Sequence, residues 1–434
     1  MNRWPTKPLK ELCDPARSIA YGIVQPGRAF PGGVPIVRVN NFSATGLNLT
    51  EVLSVDPAIE RQYARSRPQP SDVLVTLVGS IGQVAIAPAN IAGWNLARAV
   101  GLLPMPDHHH AQWVAYSIRN VAAQEFIRQH ANTTVQATFN LGDLAKLPIP
   151  YPDKAARQGI IEILTAIDDR IELNRRLNET LEGIAQAIFR DWFVEFGPVR
   201  RAQSGMTDAV EILGGLVPDP ARAAELAALF PAVFGVDGLP EGWATVGFGE
   251  QFDLVMGQSP PGDTYNNTGD GLPFFQGRTD FGFRYPENRK FCSSPSRVAK
   301  ADDTLISVRA PVGDINMAME LCCIGRGVAC ARHKGGATSY TFYTLCALQP
   351  ELQLYEHTGT VFGAINRKQF ENLPVVRSSD ALVAAFESVA KFLDRRVKQT
   401  TLENKTLTET REYLLPRLMS GAVRIEIPTT GGEK

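Results

Sequence analysis

The sequence predicts an α+β chain: two duplicated mixed domains separated by two long helices that form an antiparallel coiled coil, pseudo-two-fold symmetric. Two observations carry that reading. Residues 153–196 hold an apolar stripe at steps of three and four through Ile160, Ile163, Ile167, Ile171, Leu181 and Ile188, with Asn174, Asn178 and Ala185 on the same face. Only Gly183 punctuates its middle, so it reads as one helix of about 40 residues, roughly 60 Å long. The second observation is an echo. Ile163, Ile167, Asp168, Ile171, Asn178, Leu181 and Ile188 align without a gap, at one constant offset, with Val389, Leu393, Asp394, Val397, Asn404, Leu407 and Leu414. Residues 380–420 are therefore a second, related helix.

Composition sets the class. A chain of 434 residues holds two to four domains and can bury full cores. Hydrophobic content of 44% and charged content of 21% are those of a soluble globular protein. No apolar run reaches bilayer length and the start lacks a signal pattern, so the expected compartment is the cytoplasm, with no membrane partner. The six cysteines show no C-x-x-C spacing and read as free buried thiols. The net charge of −1 is not that of a simple nucleic-acid binder. Residues 1–152 nevertheless carry 13 Lys/Arg against 9 Asp/Glu, whereas 153–196 carry 6 against 9 and 237–379 carry 13 against 15. Any polyanion contact in the second half must come from clustered side chains rather than bulk field.

In chain order, residues 1–152 are the first mixed domain. A β-branched run at 34–39 and an alternating stretch at 72–87, broken at Gly79-Ser80-Ile81-Gly82, read as strands with a turn. Residues 112–130 read as helix. Pro148, Pro150 and Pro152 then hold the chain extended before the first long helix, 153–196. That helix ends in Phe189, Trp192, Phe193 and Phe196, read as helix-end core or partner interface, and stops at Gly197-Pro198. A connector, 197–236, carries a short Ala-rich helix at 220–229. The second mixed domain, 237–379, repeats the first with insertions. Asp303 to Ile315 matches Asp72 to Val84, Arg326 and Val328 match Arg98 and Val100, and Asn366, Leu373 and Pro374 match Asn140, Leu147 and Pro148. The second long helix, 380–420, and a tail, 421–434, complete the chain.

A connector of about 40 residues can cross back along a ~60 Å bundle, which favours antiparallel over parallel pairing. Asn174, Asn178, Thr400 and Asn404 fall near mid-seam, where buried polar groups fix register. The other reading leaves them facing solvent or a partner's helix.

The run Phe189-Arg190-Asp191-Trp192-Phe193-Val194-Glu195-Phe196-Gly197-Pro198-Val199 resembles the end of the central helical region of type I restriction-modification specificity subunits. So do the Leu239-Pro240-Glu241-Gly242-Trp243 opening of the second half, the Thr360-Val361, Ile365-Asn366, Leu373-Pro374 approach to a helix, and the close from Glu412-Tyr413-Leu414-Leu415-Pro416 to Gly421. The first half departs from the pattern, with Met1-Asn2-Arg3-Trp4-Pro5 in place of the Leu-Pro-x-Gly-Trp opening. The resemblance implies that each mixed domain is a target-recognition domain reading one half of a split site in double-stranded DNA, and that the helices set the gap. It further implies two modification subunits packed on the chain, carrying S-adenosylmethionine and adenine N6 methylation. A restriction subunit using ATP and Mg is a further candidate partner.

The chain itself shows no catalytic equipment. It has neither an Asn/Asp-Pro-Pro-aromatic tetrapeptide nor a G-x-x-x-x-G-K-[ST] phosphate loop. His108-His109-His110 is adjacent rather than i, i+4, and reads as a solvent-facing loop rather than a metal site. Asp168-Asp169 and Asp302-Asp303 read as solvated faces. The expectation is a non-catalytic subunit with no cofactor of its own. For reading DNA, Arg suits guanine, Asn or Gln suits adenine, and Lys, Ser or Thr suits phosphate. The DNA-binding candidates are Arg38, Asn40, Asn41, Arg98, Thr134, Gln136 and Asn140 in the first domain. In the second they are Arg278, Arg284, Arg309, Arg326, Asn366, Arg367 and Lys368. The competing reading is a duplicated coiled-coil protein-interaction adaptor without DNA binding.

Overall fold

The computed structural model describes residues 4–43, 46–132, 137–357 and 363–425. Its contacts divide the chain into two units, Met1–Arg175 with Thr401–Lys434, and Arg176–Thr400.

In the first unit the strand–turn pair forms as expected. Val73–Thr76 and Val84–Ile86 lie antiparallel, and Gly79 and Gly82 take φ of +77° and +84° in the turn between them. They belong to a four-stranded antiparallel sheet ordered Ala20–Tyr21, Val100–Leu103, Val73–Thr76, Val84–Ile86. A second sheet orders Leu53–Val55, Val34–Val37 and Asn95–Leu96, the last pair running parallel. The helix expected over 112–130 is two helices, His108–Arg119 and Val121–His130. It starts early because Asp107 caps it, accepting from the His110 amide at 2.8 Å, and it breaks where Asn120 turns to ψ 144°. The three histidines thus open a helix and do not form a loop. Trp113, Val114 and Ile118 bury against Val73, Val75 and Val84.

The prolines act as expected. Pro148–Pro150 pairs with Thr6–Pro8 in a two-stranded ribbon, where prolines are tolerated, immediately before the central helix Lys154–Phe189. Trp113 Nε1 donates to the Pro150 carbonyl at 2.8 Å, and the Arg157 guanidinium donates to Pro152 while lying 3.9 Å from the Tyr151 ring centroid.

The second unit uses the same strand order. Phe252–Met256, Val328–His333, Thr304–Val308 and Val312–Met317 form an antiparallel sheet. Leu272–Phe275 runs parallel to Cys322–Ile324 within a five-stranded sheet, and Ala244–Gly247 pairs with Pro374–Arg377 just before the C-terminal helix Asp380–Ser420. The central helix ends in a π-helical turn, Arg190–Val194. Phe189, Trp192 and Phe193 pack there with Trp243, Tyr340 and Phe386 at ring separations of 5.1 to 6.2 Å. Phe196 breaks the helix at φ +55°, but Gly197–Gln203 restarts one, since proline suits a first turn. Ala209–Ile212 and Pro220–Ala227 follow. Asp302 and Asp303 are not simply solvated: Asp303 is buried against Arg332 (2.7 Å), and Asp302 accepts from Lys398 at 2.8 Å.

Within each unit, segments of the two long helices touch in opposite order. In the first, Arg170 bonds Glu403 (2.7 Å), Asn174 donates to Asn404 (2.9 Å), and Arg411 reaches back to Asp168 (2.7 Å), so Asp168 too is paired rather than merely solvated. In the second, Thr400 donates to Asn178, and Phe386 stacks edge-on to Phe189 at 5.4 Å. The inward face follows Ile160, Leu164, Ile167, Ile171, Asn174, Asn178, Leu181, Ala185 and Ile188, a strict alternation of four and three. One expected seam residue is corrected. Ile163 is 37% exposed, and Leu164, fully buried beside Leu415 and Leu418, occupies the seam instead. Val389, Leu393, Leu407 and Leu414 are half-buried and Val397 is buried.

Candidate nucleic-acid interface

A parallel strand pair sends both of its following segments out of one sheet end. In the first unit Ile36 pairs with Asn95 and Val37 with Leu96, and the Ala97 amide donates to the Val37 carbonyl at 2.9 Å. Arg38 and Arg98 come just after these two strands, and Asn40 follows Arg38 in a 3-10 turn. In the second unit Phe274 pairs with Cys323 and Phe275 with Ile324, and the Gly325 amide donates to the Phe275 carbonyl at 2.8 Å. Arg278 and Arg326 then leave by that end. The backbones are pressed together here: a Cβ on Gly22 would meet the Leu96 carbonyl oxygen at 1.9 Å, and one on Gly257 would meet that of Gly325 at 2.2 Å.

Arg98, Arg278 and Arg326 are exposed. Arg278 reaches Asp314 at 3.3 Å, and Arg326 Nε donates to Ser259 Oγ at 3.3 Å. Arg38 is half-buried, with its Nε enclosed and without a hydrogen-bond partner. Strand register adds two exposed cations that the sequence does not single out. The Lys290 carbonyl accepts from the Phe274 amide, and the Arg297 carbonyl accepts from the Ile324 amide, so both residues sit beside the strands from which Arg278 and Arg326 emerge. Burial pushes the Asp280 carboxyl above its ordinary range, against the pull of Arg289 and Lys290. Strand register thus places Arg278, Arg326, Lys290 and Arg297 at one end of this sheet, residue types suited to phosphate and to the acceptor edge of guanine.

In the first unit a buried network supports the same end. Asn95 Nδ2 donates to Glu60 at 2.8 Å, Ser66 Oγ donates to Asn95 at 2.7 Å, and Arg67 pairs with Glu60 at 2.6 Å. The bond from Arg67 is the main reason the Glu60 carboxyl lies below its ordinary value; burial opposes it and Asn95 assists. The network holds the 3-10 segment Arg61–Ser66, with exposed Arg61 and Arg65, against strand Asn95–Leu96.

Other candidates take different places. Arg284 is 1% exposed and paired with Glu182 and Asp394, so it is withdrawn as a direct DNA contact. Asn41 is likewise withdrawn: it is 2% exposed, and its amide donates to the Asn48 and Glu51 carbonyls, closing a loop. Asn140 and Asn366 are exposed but serve as helix N-caps, accepting from the Asp143 and Gln369 amides at 2.8 and 3.0 Å. Arg367 is exposed and pairs with Glu371 one turn on, and Lys368 is exposed. Arg309 is exposed just past Thr304–Val308, bridged to Ala364. Thr134 and Gln136 lie outside the described residues, as do Thr360 and Val361.

Among the described residues no group of three or more His, Cys, Asp and Glu is placed to hold a metal ion, and no helix is long and apolar enough to cross a membrane. Burial pushes the Cys13, Cys322 and Cys346 thiols up to about 12, far from thiolate reactivity at neutral pH.

Residues 1–183 match the family model of the type I restriction modification DNA specificity domain. A Methanocaldococcus jannaschii protein bearing the name of the type I restriction enzyme MjaX specificity subunit is 26% identical, over 98% of this chain and 94% of its own. The type I restriction enzyme HindI specificity subunit of Haemophilus influenzae is 28% identical, over 68% of this chain and 72% of its own. In fold, the chain is similar to the S subunit of a type I restriction-modification system from M. genitalium, with a TM-score of 0.55 at 17% identity over 96% of each chain. The chain is thus similar to type I restriction enzyme specificity subunits along nearly its whole length, and its match to the DNA specificity domain lies in its first 183 residues.

Proposed function

We propose that the chain is the DNA sequence-specificity subunit of a type I restriction-modification complex. Its two mixed domains are duplicated target-recognition domains, each reading one half of a bipartite site. The two long helices pair as an antiparallel coiled coil with pseudo-two-fold symmetry and set the gap between half-sites. The chain scaffolds two modification subunits, which bring S-adenosylmethionine and methylate adenine N6. A restriction subunit, where present, brings ATP and Mg chemistry. The chain contributes recognition and no catalysis, and it works in the cytoplasm.

The observation that supports this reading best is the recurrence of one basic device. Two adjacent parallel strands lead into arginines, Arg38 with Arg98 and Arg278 with Arg326, in units whose four-stranded sheets share one strand order. An adaptor with no DNA role has no need for such a device in both halves. The test is methylome sequencing of a host expressing the modification subunit with and without this chain. Adenine methylation at one split motif, appearing only with the chain, is the expected result. A contiguous motif, or methylation indifferent to the chain, would overturn the reading. The adaptor alternative requires partner binding without the steep loss of DNA affinity on adding salt that phosphate contacts produce.

A further inference from the structure

Two aspartates matched by the repeat, Asp168 on the central helix and Asp394 on the C-terminal helix, hold equivalent positions in charged clusters, one in each unit. Asp168 accepts from Tyr116 Oη at 2.9 Å and pairs with Arg119 at 3.3 Å, both on helix His108–Arg119. Its other oxygen pairs with Arg411 at 2.7 Å. Asp394 accepts from Tyr343 Oη at 3.0 Å, on helix Thr338–Ala347, and pairs with Arg284 at 3.1 Å. Arg284 also binds Glu182 of the central helix at 2.8 Å and Tyr343 Oη at 2.8 Å, and it lies 3.8 Å from the Phe342 ring centroid. In both units a domain helix supplies a tyrosine, an arginine joins it, and both long helices take part.

This is an expensive way to hold two parts together. Arg284 is 1% exposed, and its Nη1 and Asp394 Oδ2 are enclosed without a partner. Burial raises the Glu182 carboxyl, with Arg284 opposing. Apolar groups of the same volume commonly give as much stability or more. Apolar contact, however, is non-directional. A fork of guanidinium, carboxylate and phenol bonds is directional and specifies one angle. Angle is what a recognition domain on a helix must keep: a pivot of ~10° over a domain reach of ~20 Å moves the far end ~3.5 Å, about one base pair.

We propose that the Asp168 and Asp394–Arg284–Glu182 clusters are clasps that fix each recognition domain's angle on its helices, making these residues positioning residues for the gap the complex accepts. The inference rests on the bipartite reading above.

The experiment uses the full chain assembled with its modification subunits. It measures methylation of duplexes bearing the methylome-defined half-sites at the native gap and at one pair shorter and longer. Asp168→Asn keeps an acceptor on a partly exposed side chain. Arg284→Met with Asp394→Asn and Glu182→Gln removes the second clasp without stranding a charge. Each variant is expected to cut the preference for the native gap about tenfold, with binding to a duplex carrying one half-site unchanged and the preference partly rescued in Asp168→Glu. A folded Asp168→Asn complex whose gap profile coincides with the unaltered one overturns the proposal. A flat gap profile in the unaltered complex overturns the bipartite reading itself.

Discussion

If the helices set the gap, lengthening them by a whole number of heptads must lengthen it. The unit boundaries fall after Arg175 in the central helix and after Thr400 in the C-terminal helix, so insertions there leave both units intact. Contacts flanking these points, Asn174 with Asn404 and Thr400 with Asn178, show that the two insertions would face each other. One heptad adds ~10 Å, or about three base pairs, and preserves the seam. It also asks the second reader to engage DNA turned by roughly 100°, since the duplex repeats about every 10 to 10.5 pairs. Three heptads add ~32 Å against a DNA turn of ~34–36 Å, so both seam and DNA face are nearly restored. The three-heptad protein should therefore methylate the same half-sites with a gap about nine or ten pairs longer. The one-heptad protein should be the weaker of the two, although its change is smaller. Methylation of a duplex library with randomised gap length reads both outcomes at once. A three-heptad protein that keeps the original gap refutes the ruler, whatever its activity.

Smaller perturbations test individual residues. Arg98→Ala and Arg326→Ala should each cost ~1–3 kcal/mol of site affinity and relax base preference within one half-site only, read by binding to duplexes varied one half at a time. Equal relaxation of both halves would contradict one reader per half-site. Leu164→Ala should destabilise by ~2–4 kcal/mol and Ile163→Ala by under ~1 kcal/mol in thermal or denaturant unfolding, because only the first empties a packed position; the reverse order would put the seam back where the sequence pattern places it. The Glu60 carboxyl lies below its ordinary 4.5, so its stabilising contribution is present above that value and is lost as pH falls through the lowered one. Glu60→Gln should flatten the stability profile on the acid side of about pH 5. An acid slope identical to the unaltered protein's would mean the Arg67–Glu60 bond does not act.

What the sequence discloses follows from how local each signal is. The long helices are readable because their period repeats within one segment, and the gapless echo adds a second witness. The error at Ile163 shows the limit: from Ile160 a step of three and a step of four are both helical, and Leu415 and Leu418 of the other helix decide for Leu164. Arg98 and Arg326 are readable as equivalents through the repeat. Their meeting with Arg38 and Arg278 depends on strands distant in sequence pairing in parallel, which no local pattern announces. Lys290 and Arg297 escape notice for the same reason. Asn140-x-x-Asp143 and Asn366-x-x-Gln369 do carry a visible capping signal, outweighed by the attraction of asparagine as an adenine reader. Arg284 looks like any loop arginine, because the acids that bury it lie far from it in sequence, one on either side.

The polar residues in the seam follow from the same demand. A uniformly apolar seam is nearly indifferent to sliding by one heptad, since each knob finds another hole. Such a slip would move one helix ~10 Å along the other, a change of about three base pairs in any gap the helices define. Asn174 donating to Asn404, Asn404 donating to the Ile171 carbonyl, and Thr400 donating to Asn178 are satisfied in one register and stranded in a slipped one. A buried amide or hydroxyl without a partner costs ~1–3 kcal/mol, so several together bias strongly against the slip. On the proposed reading, the stability given up by placing them in the seam is the cost of a fixed length, and a protein that measured nothing would have little reason to bear it.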